Sequence, residues 1–252
     1  MAAEARAPRL AVLVDADNTS ARIAPGLFEE IAKIGEASVR RIYGDFSTPR
    51  LKSWADVLSM YAIMPHQNFA YTSGKNASDI ALVIDAMDLL HSGRFHGFCL
   101  VSSDSDFTRL AARIREQGVD VYGFGEHKTP ESFRQACRRF IYSENLLPEA
   151  PKPDQAQLPD AMQGKALKPP SAATPLIRKA IENEDGWVSL ALIGHRLASL
   201  SSDFDPRTYG HAKLSDLVDK TGAFEVRREE GGVSIRSKPM TPKTTSPKKS
   251  TT

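Results

Sequence analysis

Residues 9–146 alternate between unbroken apolar runs and apolar positions at helical spacing. "RLAVLVDAD" (9–17) predicts a buried strand, and "APGLFEEIAKIG" (24–35) a helix carrying Leu27, Ile31 and Ile34 and closed by Gly35. "SVRRIYGDF" (38–46) predicts a second strand, and "STPRLKSWADVLSMY" (47–61) a helix with a Ser/Thr cap and an early Pro. A third strand is expected over 62–69, interrupted by Pro65, and a long apolar-striped helix over 76–93. Strands at 97–104 and 119–125 and helices at 105–118 and 129–141 complete the series. Strand alternating with helix implies an α/β fold, a parallel sheet with helices on its faces.

The pattern then breaks. Residues 146–170 hold six of the chain's 16 prolines and few large apolar side chains, which predicts a flexible linker. Order returns over 173–237: helices at 174–184, 188–200 and 208–222, then a hairpin over 223–237 turning near Gly231 and Gly232. Three helices and a β-wing predict a small winged helix-turn-helix (α+β) domain. The expected organisation is a domain over 1–146, a Pro-rich linker over 147–172, a winged-helix domain over 173–237 and a basic tail over 238–252. With four lysines and no acid, that tail is expected to be disordered.

Composition narrows the classes. The balance of 33 basic and 31 acidic residues gives +2, so net charge names no partner and any basic surface must be local. Cys99 and Cys137 read as buried thiols rather than a disulfide or metal site. No apolar run reaches the roughly 18 residues of a membrane span. The first apolar run is too short for a signal peptide and ends in Asp15, so a cytoplasmic protein is expected. Histidines do not cluster near the motifs, which leaves zinc without a donor set.

The candidate chemistry lies in carboxylates. Asp15 and Asp17 end the first strand, and Asp104 and Asp106 end a later one; in a parallel sheet both ends share one edge, where ligands bind. The helix starting near Asp79 brings a third carboxylate source there. Asp at a strand-to-helix junction is often only a cap, but three sources on one edge exceed what capping needs. Like charges so placed repel unless a hard cation such as Mg2+ or Mn2+ takes their oxygens. Asp17 either enters the site or flanks it. Asp85 stands about 240° around the helix from Asp79, where it could enter the site or bond a neighbour. Asp88 points outward, and Glu29 and Glu30 read as a solvated helix face. Ser102 and Ser103 fit a phosphate contact or a helix cap equally.

"LAVLVDADN", "KNASDIALVIDAM" and "LVSSDSDFTRLAARIREQGVDVYGFG" together resemble the NYN domain, a LabA-like branch of the PIN-like nucleases, over about residues 8–145. The resemblance implies a PIN-like sheet and a Mg2+- or Mn2+-dependent endoribonuclease. It assigns Asp15, Asn18, Asp79, Asp104 and Asp106 to the catalytic site, with Asp15, Asp79, Asp104 and Asp106 as metal ligands. The family more usually shows Lys-Gly-x-Asp before the helix; here the spacing from Lys75 to Asp79 is one residue longer, which leaves a phosphate contact by Lys75 open. "FDPRTYGHAKLSDL" within 201–226 resembles the OST-HTH or LOTUS domain, over about 173–237. That family is associated with RNA binding and in some members with protein partners. Candidate RNA contacts are Arg207, His211, Lys213, Arg227 and Arg228, each equally compatible with a solvated surface. Phe204, Tyr209, Leu214, Leu217, Phe224 and Trp187 read as core. The expected whole is a metal-dependent ribonuclease with a tethered RNA-binding module. The alternatives are a non-catalytic RNA-binding regulator and a metal-dependent phosphatase, whose Asp-x-Asp-x-Thr pattern Asp15, Asp17 and Thr19 mimic. Oligomeric state stays open.

Overall fold

The computed structural model describes residues 7–68, 77–148, 167–182, 184, 186–229 and 232–238. Lys75, most of the expected linker and all but the first residue of the tail lie outside the described residues. The N-terminal domain holds strands β1 (Arg9–Asp15), β2 (Glu36–Gly44), β3 (Met64–Gln67), β4 (Gly97–Val101), β5 (Asp120–Gly125) and β6 (Arg139–Tyr142). They form one sheet in the order β3-β2-β1-β4-β5-β6, every pairing parallel. The order reverses between β1 and β4, so their carboxyl ends flank the crevice where such sheets bind ligands.

Side-chain parity divides the two cores. On β1, Leu10, Val12 and Val14 face the layer of α1 (Ala24–Ala32) and α2 (Lys52–Ala55), with Leu27, Ile31 and Trp54. Ala11 and Leu13 face the opposite layer of α3 (Ala77–His91), α4 (Thr108–Glu116) and α5 (Glu131–Ala136). Alternation carries Asp15 onto that second face, toward α3. On β4, Phe98 and Leu100 belong to the same face, and Ser102 is the next residue in that series.

Two expectations are corrected. The helix expected over 129–141 ends at Ala136, and Arg139–Tyr142 is the sixth strand. Phe140 and Tyr142 there pack on the α3 face and Ile141 on the other, an alternation too short to stand out beside a helix-like run. The helix expected over 47–61 shrinks to one 3-10 turn and α2.

The C-terminal domain contains α6 (Thr174–Ala180), β7 (Val188–Ser189), α7 (Leu190–Leu200), α8 (Leu214–Thr221), β8 (Phe224–Glu229) and β9 (Gly232–Ser237). The hairpin is completed by β7 into an antiparallel sheet in the order β7-β9-β8. Ile177, Ile193, Leu197, Leu217, Val218, Phe224 and Ile235 form its core, with Phe204, Tyr209 and Leu214 against it. Trp187 lies partly open, with the guanidinium groups of Arg227 (4.7 Å from the ring) and Arg236 (5.1 Å) over its ring. Both cysteines are free and buried, as expected. No helix among the described residues is long and apolar enough to cross a membrane.

Candidate active site at the sheet edge

Asp15, 1% exposed, ends β1 and holds the centre of the edge. One oxygen accepts hydrogen bonds from the backbone N–H of Asp17 (3.1 Å) and Asn18 (3.3 Å). The other accepts from Asn18 Nδ2 at 2.9 Å and from the Ser102 hydroxyl at 2.7 Å. Burial nonetheless keeps the carboxyl above its ordinary range, against the lowering by Ser102 and Asn18. Ser102 Oγ also accepts the backbone N–H of Asp104 at 3.0 Å. A single hydroxyl thereby joins the two strand ends. Asp104 caps the turn Ser105–Phe107 by accepting the Asp106 N–H at 2.9 Å.

Asp79 stands in the first turn of α3. Its carboxyl is pushed up to about 6, first by burial and then by the charges of Asp15, Asp104, Asp17 and Asp106. The fold thus brings the predicted acidic set into one field. Asp106 and Asn18 lie at the exposed rim. Among the described residues, no three carboxylate, histidine or cysteine groups close into a ready-made metal cage. The donors are all oxygen and mutually repulsive, the set that suits a hard divalent cation.

The flanking residues are now placed. Asp17 faces Arg50 at 3.8 Å and accepts from Ser78 Oγ at 3.3 Å, tying the loop after β1 to the start of α3. Asp85 bonds neighbours instead of entering the site: the Tyr43 hydroxyl (2.5 Å), Arg41 (2.7 Å) and His66 (3.5 Å). Ser103 accepts the Glu126 N–H at 2.9 Å, so neither serine caps the next helix. Thr19 donates to the Val101 carbonyl at 3.3 Å, and Trp54 Nε1 to the Thr19 carbonyl at 2.8 Å, fixing the loop that carries Asn18. Clefts of about 220 and 430 Å3 open on either side of that loop, the first against Ser103 and Arg22, the second against Arg50 and Lys128. Ser102 as a link and Arg50 as a cation beside the acids emerge only from the structure. For Ser102 the only signal was its place in the alternation of β4.

The candidate RNA contacts separate. Lys213 is exposed and His211 half-buried. Arg227 and Arg228 are exposed but paired with Glu229 (3.0 Å) and Asp219 (2.5 Å). Arg207 is committed elsewhere: it grips Asp205 within its own domain and Glu30 on α1 of the other at 3.0 Å. Glu30, expected on a solvated face, is 4% exposed and also meets Arg139 and Lys33, both at 3.2 Å. Burial would raise its pKa, but these cations hold it below the ordinary value.

A doubly wound α/β domain with acids gathered at its switch point, beside a small winged-helix domain, is the architecture of a nuclease-type fold carrying an accessory module. The NYN-domain family model matches residues 9–144 and that of the OST-HTH/LOTUS domain residues 167–235. The chain belongs to the NYN-domain family, a branch of the PIN-like nucleases, and carries an OST-HTH/LOTUS domain, an RNA-binding type of module. A crystal structure of a protein of unknown function from Vibrio parahaemolyticus is similar to it, at 20% identity and a TM-score of 0.46, covering 56% of this chain and 96% of that one. No curated protein matches the chain at a significant level.

Proposed function

We propose that this chain is a Mg2+- or Mn2+-dependent endoribonuclease whose C-terminal domain supplies RNA affinity. The observation that carries the reading is the gathering of Asp15, Asp104, Asp106 and Asp79 at the β1/β4 edge, where burial first and the neighbouring carboxylates second push Asp79 up to about 6. A cation held by Asp15, Asp79, Asp104 and Asp106 would supply an activated water and neutralise charge on the phosphodiester. The chain's own groups do the rest. Ser102 and Asn18 hold the Asp15 carboxylate in one orientation. Arg50 offers a cation at the rim for a neighbouring phosphate, since its side chain is 68% exposed. Exposed Lys213, Arg227 and Arg228 offer further phosphate contacts.

The phosphatase alternative needs Asp15 as a free nucleophile. It also needs Thr19 at the phosphate, and the Thr19 hydroxyl is turned to the Val101 carbonyl instead. The discriminating experiment offers single-stranded RNA, the same sequence as DNA and a simple phosphate monoester to purified protein, each with Mg2+, Mn2+ or a chelator. Metal-dependent internal cleavage of RNA supports the proposal. Hydrolysis of the monoester alone would make the protein a phosphatase, and RNA binding without cleavage under any metal would make it a regulator.

A further inference from the structure

The two domains meet through buried charge, and among the described residues the hydrogen-bonding groups that the C-terminal side brings to the joint come from one short segment, Ser202–Thr208. Arg207 sends Nη1 to Glu30 of α1 at 3.0 Å, while its Nε and Nη2 bind Asp205, itself 5% exposed. Arg139 of β6 reaches the other oxygen of Glu30 at 3.2 Å. Asp203 accepts the Tyr142 hydroxyl at 2.5 Å and pairs with Arg134 of α5. The backbone N–H of Phe140, on the free edge of β6, donates to the Ser202 carbonyl at 2.7 Å, and the Ser202 hydroxyl donates back to the Arg134 carbonyl at 2.6 Å. Between these groups, Phe204 turns the other way and stacks near Tyr209 against its own domain's core, the ring centres 5.9 Å apart. The segment therefore has one face for each domain.

Chance contact does not account for this arrangement. A carboxylate as buried as Glu30 is costly unless paired, and Arg207 is the cation that the second domain supplies. An edge strand such as β6 needs covering, and the Ser202 carbonyl takes one of its outward N–H groups. Both partners lie in one chain, so an interface too weak to join separate molecules suffices to dock the domains.

We propose that Glu30, Arg139, Arg134 and Tyr142 form a docking site for the Ser202–Thr208 segment, which fixes the OST-HTH domain in one orientation on the nuclease domain. It then acts as a rigid arm that presents RNA to the carboxylate edge, rather than as a module on a loose tether. The presentation of RNA rests on the function proposed above; the docking does not. Glu30 and Asp203 are positioning residues in this account.

The test uses full-length protein with spin labels at exposed Glu116 on α4 and Lys220 on α8, measured by pulsed electron resonance without RNA. The wild type should give one narrow distance distribution. Glu30→Gln with Asp203→Asn should broaden it, while circular dichroism and both thermal transitions show folded domains. With saturating RNA the double variant should keep kcat within about twofold and raise KM roughly tenfold, because the local concentration of held RNA falls. If that variant unfolds, Arg134→Gln is read by the same two measurements. A broad wild-type distribution, or a narrow one in the variants, overturns the docking. Broadening with KM unchanged overturns the presenting role. If wild-type protein cleaves no RNA at all, the nuclease reading fails, while the distances still decide the docking.

Discussion

Ser102 holds the two strand ends together with one side chain. It donates to Asp15 and accepts from the Asp104 N–H, so Ser102→Ala leaves a buried carboxylate oxygen short of a donor and an N–H short of an acceptor. The expected cost is about 1–3 kcal/mol of stability. Cleavage should fall by about tenfold or more, as happens when groups supporting a metal ligand are removed. Chemical denaturation and single-turnover cleavage check both values. Asp79 behaves in the opposite sense. Its folded pKa is raised to about 6 from 3.8, so its contribution to stability is fully present below 3.8 and is lost as pH rises through about 6. A shift of that size is worth roughly 3 kcal/mol in a fully buried group, and about 1 kcal/mol is expected for this partly open one. With a chelator present, Asp79→Asn should therefore stabilise the protein by about 1 kcal/mol at pH 7.5, and with Mg2+ or Mn2+ present it should abolish cleavage. Denaturant midpoints at pH 5 and 7.5 measure this; a variant less stable than wild type at pH 7.5 would count against a strained acidic site.

At the scale of elements, the close approach of β5 to the residues after β4 sets where Ser102 sits. A Cβ at Gly125 would stand 2.6 Å from the Ser102 carbonyl and 2.7 Å from Thr129 Oγ1. Gly125→Ala should therefore cost about 1–3 kcal/mol and impair cleavage through Ser102, without touching an acidic residue. Unchanged melting and activity would show that the loop gives way freely. The strands around this site were legible because a buried parallel strand writes an unbroken apolar run and its end is marked by Asp. β6 was not, because Gln135, Ala136, Arg138 and Arg139 favour a helix locally and only pairing with β5 and the cover from Ser202 make the segment extended. The role of Ser102 depends on a partner 87 positions away and the burial of Glu30 on one 177 away, and neither separation leaves a local trace. Asp85 was left open for the same reason, since Tyr43, Arg41 and His66 reach it from other strands.

Across the whole molecule, the acids at the joint and the acids at the site obey opposite electrostatics. Burial alone would raise Glu30, Asp203 and Asp205, but the facing cations and hydroxyls win: Arg207, Lys33 and Arg139 around Glu30, Ser201, Tyr142 and Arg134 around Asp203, and Arg207 with Arg139 around Asp205. All three sit below their ordinary values of 4.5, 3.8 and 3.8. Their contribution is present above those values and lost as pH falls through the lower folded ones. The interdomain distance should stay narrow from neutral pH to about 4.5 and broaden below it; loosening between pH 7 and 5 would contradict these pairs as the hold. At the sheet edge the acids face one another and call for a cation. The most direct measurement is the cleavage rate of a labelled RNA by wild type and Asp104→Asn, titrated with Mg2+ and with Mn2+. Metal-dependent cleavage is expected of the wild type, and none of a variant with unaltered circular dichroism. Wild-type-level cleavage by folded Asp104→Asn, or cleavage that persists in excess chelator, would contradict it.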